Sequence, residues 1–241
     1  LDYLRAGVNY TVESTGIYDV TDSASEEIKG DAGRDLISKF GITLAYDTRG
    51  GGYLPNKGQR TELMAEGANE AIGSDRDFYN LRLTSAQYFK GLGEKHVLEA
   101  IVQTGVVESY GNDTEVPFIE RYALGGSSTL RGFNFRDVGP RDANGEVVGG
   151  KTMIAGTLEY SVPVPLGDWV RFATFYDIGF VSRNAYDYSF EGYNDDWGVG
   201  LRFNIPMLGP MRIDYAFPLK TDKYNDGGGN FNFTFGYTQA F

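Results

Sequence analysis

The sequence contains no cysteine and a single histidine, His96. The first absence removes disulfides, thiolate metal sites and cysteine nucleophiles together. The second leaves no imidazole partner for a histidine-based metal centre, and neither a metal nor an organic cofactor is expected. No apolar run approaches the ~18–20 residues that a membrane-spanning helix needs, which excludes a helical membrane protein. Basic residues are in deficit, with 22 Lys and Arg against 33 Asp and Glu, for a net charge of −11. A nucleic-acid partner is therefore not expected, because phosphate tracking needs clustered positive charge. What the 241 residues do hold in quantity is glycine (33) and aromatic side chains (17 Tyr, 16 Phe, 2 Trp).

Alternation with a period of two runs through most of the chain, the signature of strands with chemically distinct faces. Phe231, Phe233, Phe235, Tyr237 and Phe241 alternate with Asn232, Thr234, Gly236, Thr238 and Ala240. Upstream, Met211, Ile213, Tyr215 and Phe217 alternate with Arg212, Asp214 and Ala216, and Trp197, Val199, Leu201 and Phe203 with Gly198, Gly200, Arg202 and Asn204. Around 169–180, Phe172, Thr174, Tyr176 and Ile178 share a face with Val170, opposite Arg171, Ala173 and Asp177. Around 151–162, Ile154, Leu158, Tyr160 and Val162 oppose Thr157, Glu159 and Ser161. Five earlier segments, at 2–13, 34–46, 58–68, 77–89 and 95–107, bring the expected total to ten strands.

The position of the charge decides the class. In the five C-terminal segments the aromatic and aliphatic face carries no mid-strand charge, while the opposite face carries Glu159, Arg171, Asp177, Arg202, Arg212 and Asp214. Strands of ~9–11 residues with an apolar outer face and a polar interior describe an antiparallel up-and-down β-barrel in a membrane. The links between segments also alternate in length. They are short at 47–57, 90–94, 163–168 and 207–209, and long at 14–33, 69–76, 108–150, 181–194 and 218–229. That is the pattern of a barrel with one rim of tight turns and one of extended loops. The acidic stretch from Ser23 to Lys29 reads as a short helical turn within one of those loops.

The 108–150 link is too long for a hairpin, and a loop of that size is usually functional or disordered. Its stretch from Tyr122 to Pro140 carries Leu124, Leu130, Phe133, Phe135 and Val138 among glycines. Such apolar content is expected to pack inside the polar lumen. Within it, Gly125-Gly126-Ser127-Ser128 precedes Leu130-Arg131-Gly132-Phe133, and Gly139-Pro140 follows. This run resembles the sixth extracellular loop of BamA-type outer-membrane protein insertases. Further matches stand in the family's order: Asp47-x-Arg49 with Tyr53-Leu54-Pro55 and Gly58; Thr157-Leu158-Glu159-Tyr160 with Pro163-x-Pro165; Phe175-Tyr176-Asp177-x-Gly179; Gly209-Pro210-x-Arg212-x-Asp214-Tyr215; and the terminal Phe233-x-Phe235-Gly236 ending at Phe241. The resemblance covers nearly the whole chain.

The resemblance implies a sixteen-stranded barrel of the bacterial outer membrane, preceded by periplasmic POTRA domains. The ten segments here would be its seventh to sixteenth strands, a single partial barrel domain over 1–241, with the earlier strands and the POTRA domains outside this sequence. Because the sequence opens inside an apparent strand, the expectation is a fragment of a longer mature chain. A closed ten-stranded barrel is the alternative, with a narrow lumen for a loop of this length. The resemblance further implies that Arg131 reaches acidic side chains on the lumen wall, and the strand phase puts Glu159 and Asp177 on that wall. Gly132 would supply backbone freedom and Phe133 an apolar anchor. Phe233, Phe235, Gly236, Tyr237 and Phe241 would belong to a terminal strand forming one side of a lateral gate and carrying the family's C-terminal signal.

Expected partners are unfolded outer-membrane β-barrel clients, outer-membrane lipids and lipopolysaccharide, and accessory assembly lipoproteins reached through the POTRA region. No bond-making reaction is expected. Within the family the alternative task is polypeptide translocation, by a two-partner secretion transporter or a TamA-like protein. Outside it stand a ten-stranded outer-membrane enzyme and a diffusion porin. The enzyme would need a histidine with an acidic or serine partner at one rim, and His96 falls on the short-turn side.

Overall fold

The computed structural model describes residues 2–21, 24–50, 55–165, 167, 169–205, 209–225 and 227–236. Ten strands form one sheet: β1 (Leu4–Ile17), β2 (Gly33–Asp47), β3 (Gly58–Ala68), β4 (Phe78–Lys90), β5 (Val97–Ser109), β6 (Thr152–Pro163), β7 (Val170–Ser182), β8 (Asn194–Ile205), β9 (Gly209–Lys220) and β10 (Asn230–Phe235). Their order in the sheet is their order in the chain, and each neighbouring pair is antiparallel. The nearest-neighbour connectivity follows from the short links, since a tight turn can only join antiparallel strands. A 12-residue strand such as β6, rising ~3.3 Å per residue and tilted ~40°, crosses a hydrocarbon layer of ~25–30 Å. Among the described residues β1 pairs only with β2 and β10 only with β9, so the sheet has two edges.

The two faces divide as the alternation implies. Outward-pointing Phe40, Ile42, Leu44, Leu63, Leu81, Leu83, Val102, Leu158, Leu201, Tyr215, Phe217 and Phe231 are exposed. Ionic Glu99, Glu159, Arg171, Asp177, Arg202 and Asp214 are buried on the other side. A water-soluble sheet would bury the first group and wet the second. Exposure of the apolar face is stable only against lipid, where it replaces hydrocarbon contacts at no cost and the ladders of β2 to β9 pair their mid-strand backbone groups on both sides.

Several boundaries differ from the sequence expectation. β1 continues to Ile17 rather than stopping near residue 13, with Ser14, Thr15 and Gly16 paired to Leu36, Asp35 and Arg34. These polar residues sit past the apolar band, where the backbone ladder needs no lipid face to continue. β8 begins at Asn194, the last residue of the expected 181–194 link, with a register shift at Asp195/Asp196 that sequence periodicity does not reveal. Gly236 was expected inside the terminal strand but follows β10 at φ 68°, a left-handed position suited to glycine. Val170 was expected on the lipid face and is buried. Tyr237 and Phe241, and Tyr53 and Leu54 of the motif near Asp47, lie outside the described residues.

The loops carry little helix. Helix α1 (Glu26–Gly30) is capped by Ser25, whose hydroxyl accepts from the Ile28 N–H, at the acidic stretch read as a helical turn. Single 3₁₀ turns lie at Glu70–Ile72 and Phe118–Glu120. The principal apolar cluster of the interior is built largely from the β5–β6 loop. Tyr122, Leu124, Leu130, Phe133 and Val138 pack with Ile37, Phe78, Val107, Met153 and Ala155 from the strands. Phe135 is the exception to the expected packing, at 79% exposed. It follows the turn that seats Phe133, and its side chain points away from the cluster.

Candidate functional site

The β5–β6 loop is held in shape by its own backbone. Leu124 and Val138 form an antiparallel bridge, as do Tyr122 and Gly150. Between them the chain doubles back: the Gly126 N–H donates to the carbonyls of Leu130 (3.1 Å) and Phe133 (3.0 Å), and Thr129 Oγ1 accepts from the Gly125 N–H at 2.9 Å. Gly125 and Gly126 adopt φ of 111° and 89°, which side-chain-bearing residues rarely reach. The result is a compact knuckle that presents Arg131 toward the sheet.

Arg131 is 3% exposed. Its Nε and Nη2 donate to Oδ2 and Oδ1 of Asp177 at 2.7 and 2.9 Å, a bidentate fork, and its backbone N–H reaches Oδ2 at 3.3 Å. Nη1 donates to Glu159 Oε2 at 3.0 Å and lies 3.7 Å from Asp214 Oδ2. Beneath the guanidinium the Phe175 ring centroid lies 3.3 Å from Cζ, and cation–π attraction is strongest where water is excluded. Five donors in one plane make arginine the side chain able to satisfy two carboxylates and a ring face at once.

The carboxylates are themselves anchored. Thr157 Oγ1 donates to Asp177 at 2.7 Å. Arg202 forks onto Glu159, with Nε and Nη2 at 2.7 and 2.6 Å, and donates from Nη1 to Asp214 at 2.6 Å. Arg212 completes the chain with Nε 3.1 Å from Asp214 Oδ2. Buried charges are costly unless paired and hydrogen-bonded, and here three guanidiniums interleave with the carboxylates of β6, β7 and β9.

Gly132 N–H donates to Asp196 Oδ2 at 2.9 Å. Its backbone is not left-handed, contrary to the expectation of special φ. What it supplies is close approach, because a Cβ there would stand 2.7 Å from Asp196 Cβ and 3.0 Å from the Pro218 nitrogen. Phe133 is 2% exposed within the apolar cluster. Arg131, Gly132, Phe133, Glu159 and Asp177 are thus brought together. Of the terminal-strand residues, Phe233 and Phe235 are exposed on the outer face of the β10 edge.

Sequence reasoning missed several members. Phe175 shares the odd-numbered phase of Arg171 and Asp177, so its inward position was available but was not drawn. Asp196 lies past the expected 181–194 link, but its inward position was not drawn, because the register shift at Asp195/Asp196 is not contained in the period. Arg202 and Asp214 were placed on the lumen face without their partners, since register across strands is not contained in the period. Asn230 and Asn232, whose amides reach the Arg131 and Phe133 carbonyls, carried no motif at all.

Elsewhere, His96 Nδ1 lies 2.8 Å from Tyr160 Oη, with the rings edge to face. Glu62 bonds Arg60, and Glu66 accepts from Asn9. At the long-loop rim Arg141 pairs with Asp137 (3.0 Å) and Asp222 (2.9 Å). Burial alone would raise the Asp222 pKa, but N–H donors of Tyr224 and Asn225 together with Arg141 hold it below its ordinary value. Among the described residues no group of three or more His, Cys, Asp or Glu is arranged to hold a metal ion.

Comparison with known proteins places this geometry. The Omp85 superfamily domain matches residues 2–239. The chain is 32% identical to the outer membrane protein assembly factor BamA of Nitratidesulfovibrio vulgaris, over 98% of its own length and 30% of that protein's. The crystal structure of BamA from Haemophilus ducreyi lacking POTRA domains 1–3 superposes with a TM-score of 0.74 at 22% identity, covering 95% of this chain and 50% of that one. CdiB from Acinetobacter baumannii superposes at a TM-score of 0.55 and 14% identity, covering 83% of this chain and 33% of that one. The chain therefore spans about a third of the curated relative and half of the first solved structure. It belongs to the Omp85 superfamily and forms an antiparallel transmembrane β-barrel sheet of the bacterial outer membrane.

Proposed function

We propose that this chain is the C-terminal part of a barrel that inserts and folds β-barrel proteins in the outer membrane. The observation that carries the reading is the buried bonding of Arg131 to Asp177 and Glu159, which fastens a long loop across the inner wall beside an edge strand, β10. An edge strand offers a row of unpaired N–H and C=O groups on which an incoming strand can pair, β-augmentation carried out in a membrane. An unfolded client in hydrocarbon must satisfy every backbone group. A template that supplies half of those bonds at the moment of entry lowers the barrier without making or breaking covalent bonds. In this reading Arg131, Gly132, Phe133, Glu159 and Asp177 form the latch that fixes the wall's shape. The strand carrying Phe233 and Phe235, followed by Gly236 and ending at Phe241, is one side of a lateral gate.

The remaining strands and the POTRA domains belong to the parent protein in this proposal, and accessory lipoproteins meet it through those domains. Clients, outer-membrane lipids and lipopolysaccharide are the partners of the barrel itself. Arg131→Ala in the full-length protein is expected to leave a heat-modifiable, folded barrel that inserts clients poorly when it is the sole copy in a depletion strain. Growth and client levels equal to the parent would contradict the reading. A second reading, polypeptide translocation, is supported by the fold shared with CdiB. Protease protection of a client, inserted in the membrane or delivered beyond it, separates the two.

A further inference from the structure

We propose that Asn230 and Asn232 are positioning residues that couple the terminal strand to the lumenal loop, so that β10 loosens along its inner face only when the loop shifts. The inference rests on the reading of β10 as a gate strand but is argued from contacts that reading does not use. Among the described residues β10 pairs with β9, through six residues from Asn230 opposite Ala216 to Phe235 opposite Met211. Phe231, Phe233 and Phe235 face out and are exposed. Asn230, Asn232 and Thr234 face in.

Both asparagines spend their amide donors on the loop's main chain. Asn232 Nδ2 donates to the Arg131 carbonyl at 2.8 Å, and Asn230 Nδ2 donates to the Phe133 carbonyl at 2.9 Å and the Arg131 carbonyl at 3.3 Å. Only the NH₂ end of a carboxamide can bond a carbonyl, so the acceptors fix which way both side chains point. Those acceptors flank Gly132. The same tripeptide is held from the opposite side by Asp177 on the Arg131 guanidinium and Asp196 on the Gly132 N–H. Residues 131–133 are therefore a shared node, gripped by carboxylates from β7 and β8 and by carboxamides from β10.

The rest of the terminal hairpin follows the same loop. Arg212 of β9 donates to the Ser127 carbonyl, Asp222 in the β9–β10 turn pairs with Arg141, and Asn225 Nδ2 donates to Asp137 Oδ2 at 2.9 Å. A solvated lumen asparagine would bond water and leave the loop carbonyls to other donors. Here three side-chain hydrogen bonds join the six described residues of β10 to the loop, in addition to their ladder with β9. Any movement that withdraws Arg131 from Asp177 also withdraws the acceptors from β10. β10 then keeps its ladder with β9 but loses its tie to the loop, the condition in which an incoming strand can compete for it.

The test uses the full-length protein in phosphatidylcholine vesicles, with Asn230→Asp and Asn232→Asp introduced together. Aspartate keeps the shape, but its ionised form cannot donate and repels the carbonyls, whereas its protonated form has an O–H to donate. Backbone hydrogen exchange at residues 231–235 is expected to accelerate at least tenfold relative to the parent at pH 7, with β6 to β8 unchanged. Corrected for intrinsic rates, the excess is expected to shrink at pH 3.5, where the parent measured in parallel controls for the other carboxylates. Parent-like exchange in β10 would overturn the proposal, as would uniform acceleration of all strands or an excess indifferent to pH. If the double variant does not reach the heat-modifiable form, Asn232→Asp alone is judged by the same outcomes. Loosened β10 in a protein whose parent form inserts no clients would support the coupling and count against the insertion reading, whereas client insertion by a variant with parent-like β10 exchange would do the reverse, so the two fail separately.

Discussion

Arg131 is the residue on which the interior turns, because nothing else in the loop could discharge so many obligations in one buried position. Removing one partner of a buried ion pair typically costs ~3–5 kcal/mol, since the other charge is left uncompensated. An exposed pair contributes only ~0–1 kcal/mol. At 3% exposure Arg131 belongs to the first group. Lysine would keep the charge but not the fork onto Asp177 or the plane over Phe175. Gly132 is constrained for a different reason, the 2.7 Å between its missing Cβ and that of Asp196. Gly132→Ala is expected to destabilise the folded barrel by ~1–3 kcal/mol, the usual range for overpacking a tight site. Urea titration in vesicles measures it, and an unchanged midpoint would show that the loop does not approach β8 so closely. Glu159 and Asp177 were legible on the inner wall because a two-residue period assigns faces without knowledge of the fold, whereas the reach of Arg131 toward them was implied by the resemblance of its loop. Asp196 was not, because its role depends on where β8 starts and on the register shift beside it.

At the level of elements, the strands are specified by what faces outward. Leu158 and Leu201 lie mid-strand on the exposed face, while Glu159 and Arg202, one residue away, are buried. A one-residue slip would place every charge in lipid, so the register is strongly enforced. Leu158→Arg is expected to cost ~2–4 kcal/mol if its position is near the bilayer midplane. The fraction of protein showing heat-modifiable migration after folding into vesicles reports it. Folding equal to the parent would mean that this face does not meet hydrocarbon. Strand identity and face were readable in the sequence, and so was the alternation of short and long links. The ends were less so: β1 runs on to Ile17 and β8 begins at Asn194 because a ladder can extend beyond the bilayer in polar residues, where no alternation marks it.

Taken as a whole, the described sheet is a wall wrapped around its own loop, with the ionic chemistry inside and the aromatic and aliphatic chemistry outside. The apolar cluster within the wall comes chiefly from that loop, so the loop and the wall stabilise one another. That the loop packs inward was readable from its apolar content. The ties from Asn230 and Asn232 were not, because asparagine on a polar face has no pattern that distinguishes a bond to a main chain from a bond to water. The central claim is that Arg131 and Asp177 act as one buried unit. A double-mutant cycle tests it most directly: Arg131→Ala, Asp177→Ala and the pair together, unfolded by urea in vesicles of the full-length protein. Neighbours in one network show interaction energies of ~0.5–3 kcal/mol, and independent sites add within ~0.3–0.5 kcal/mol. The account predicts a coupling above about 1.5 kcal/mol, and single losses that add in the double variant would contradict it.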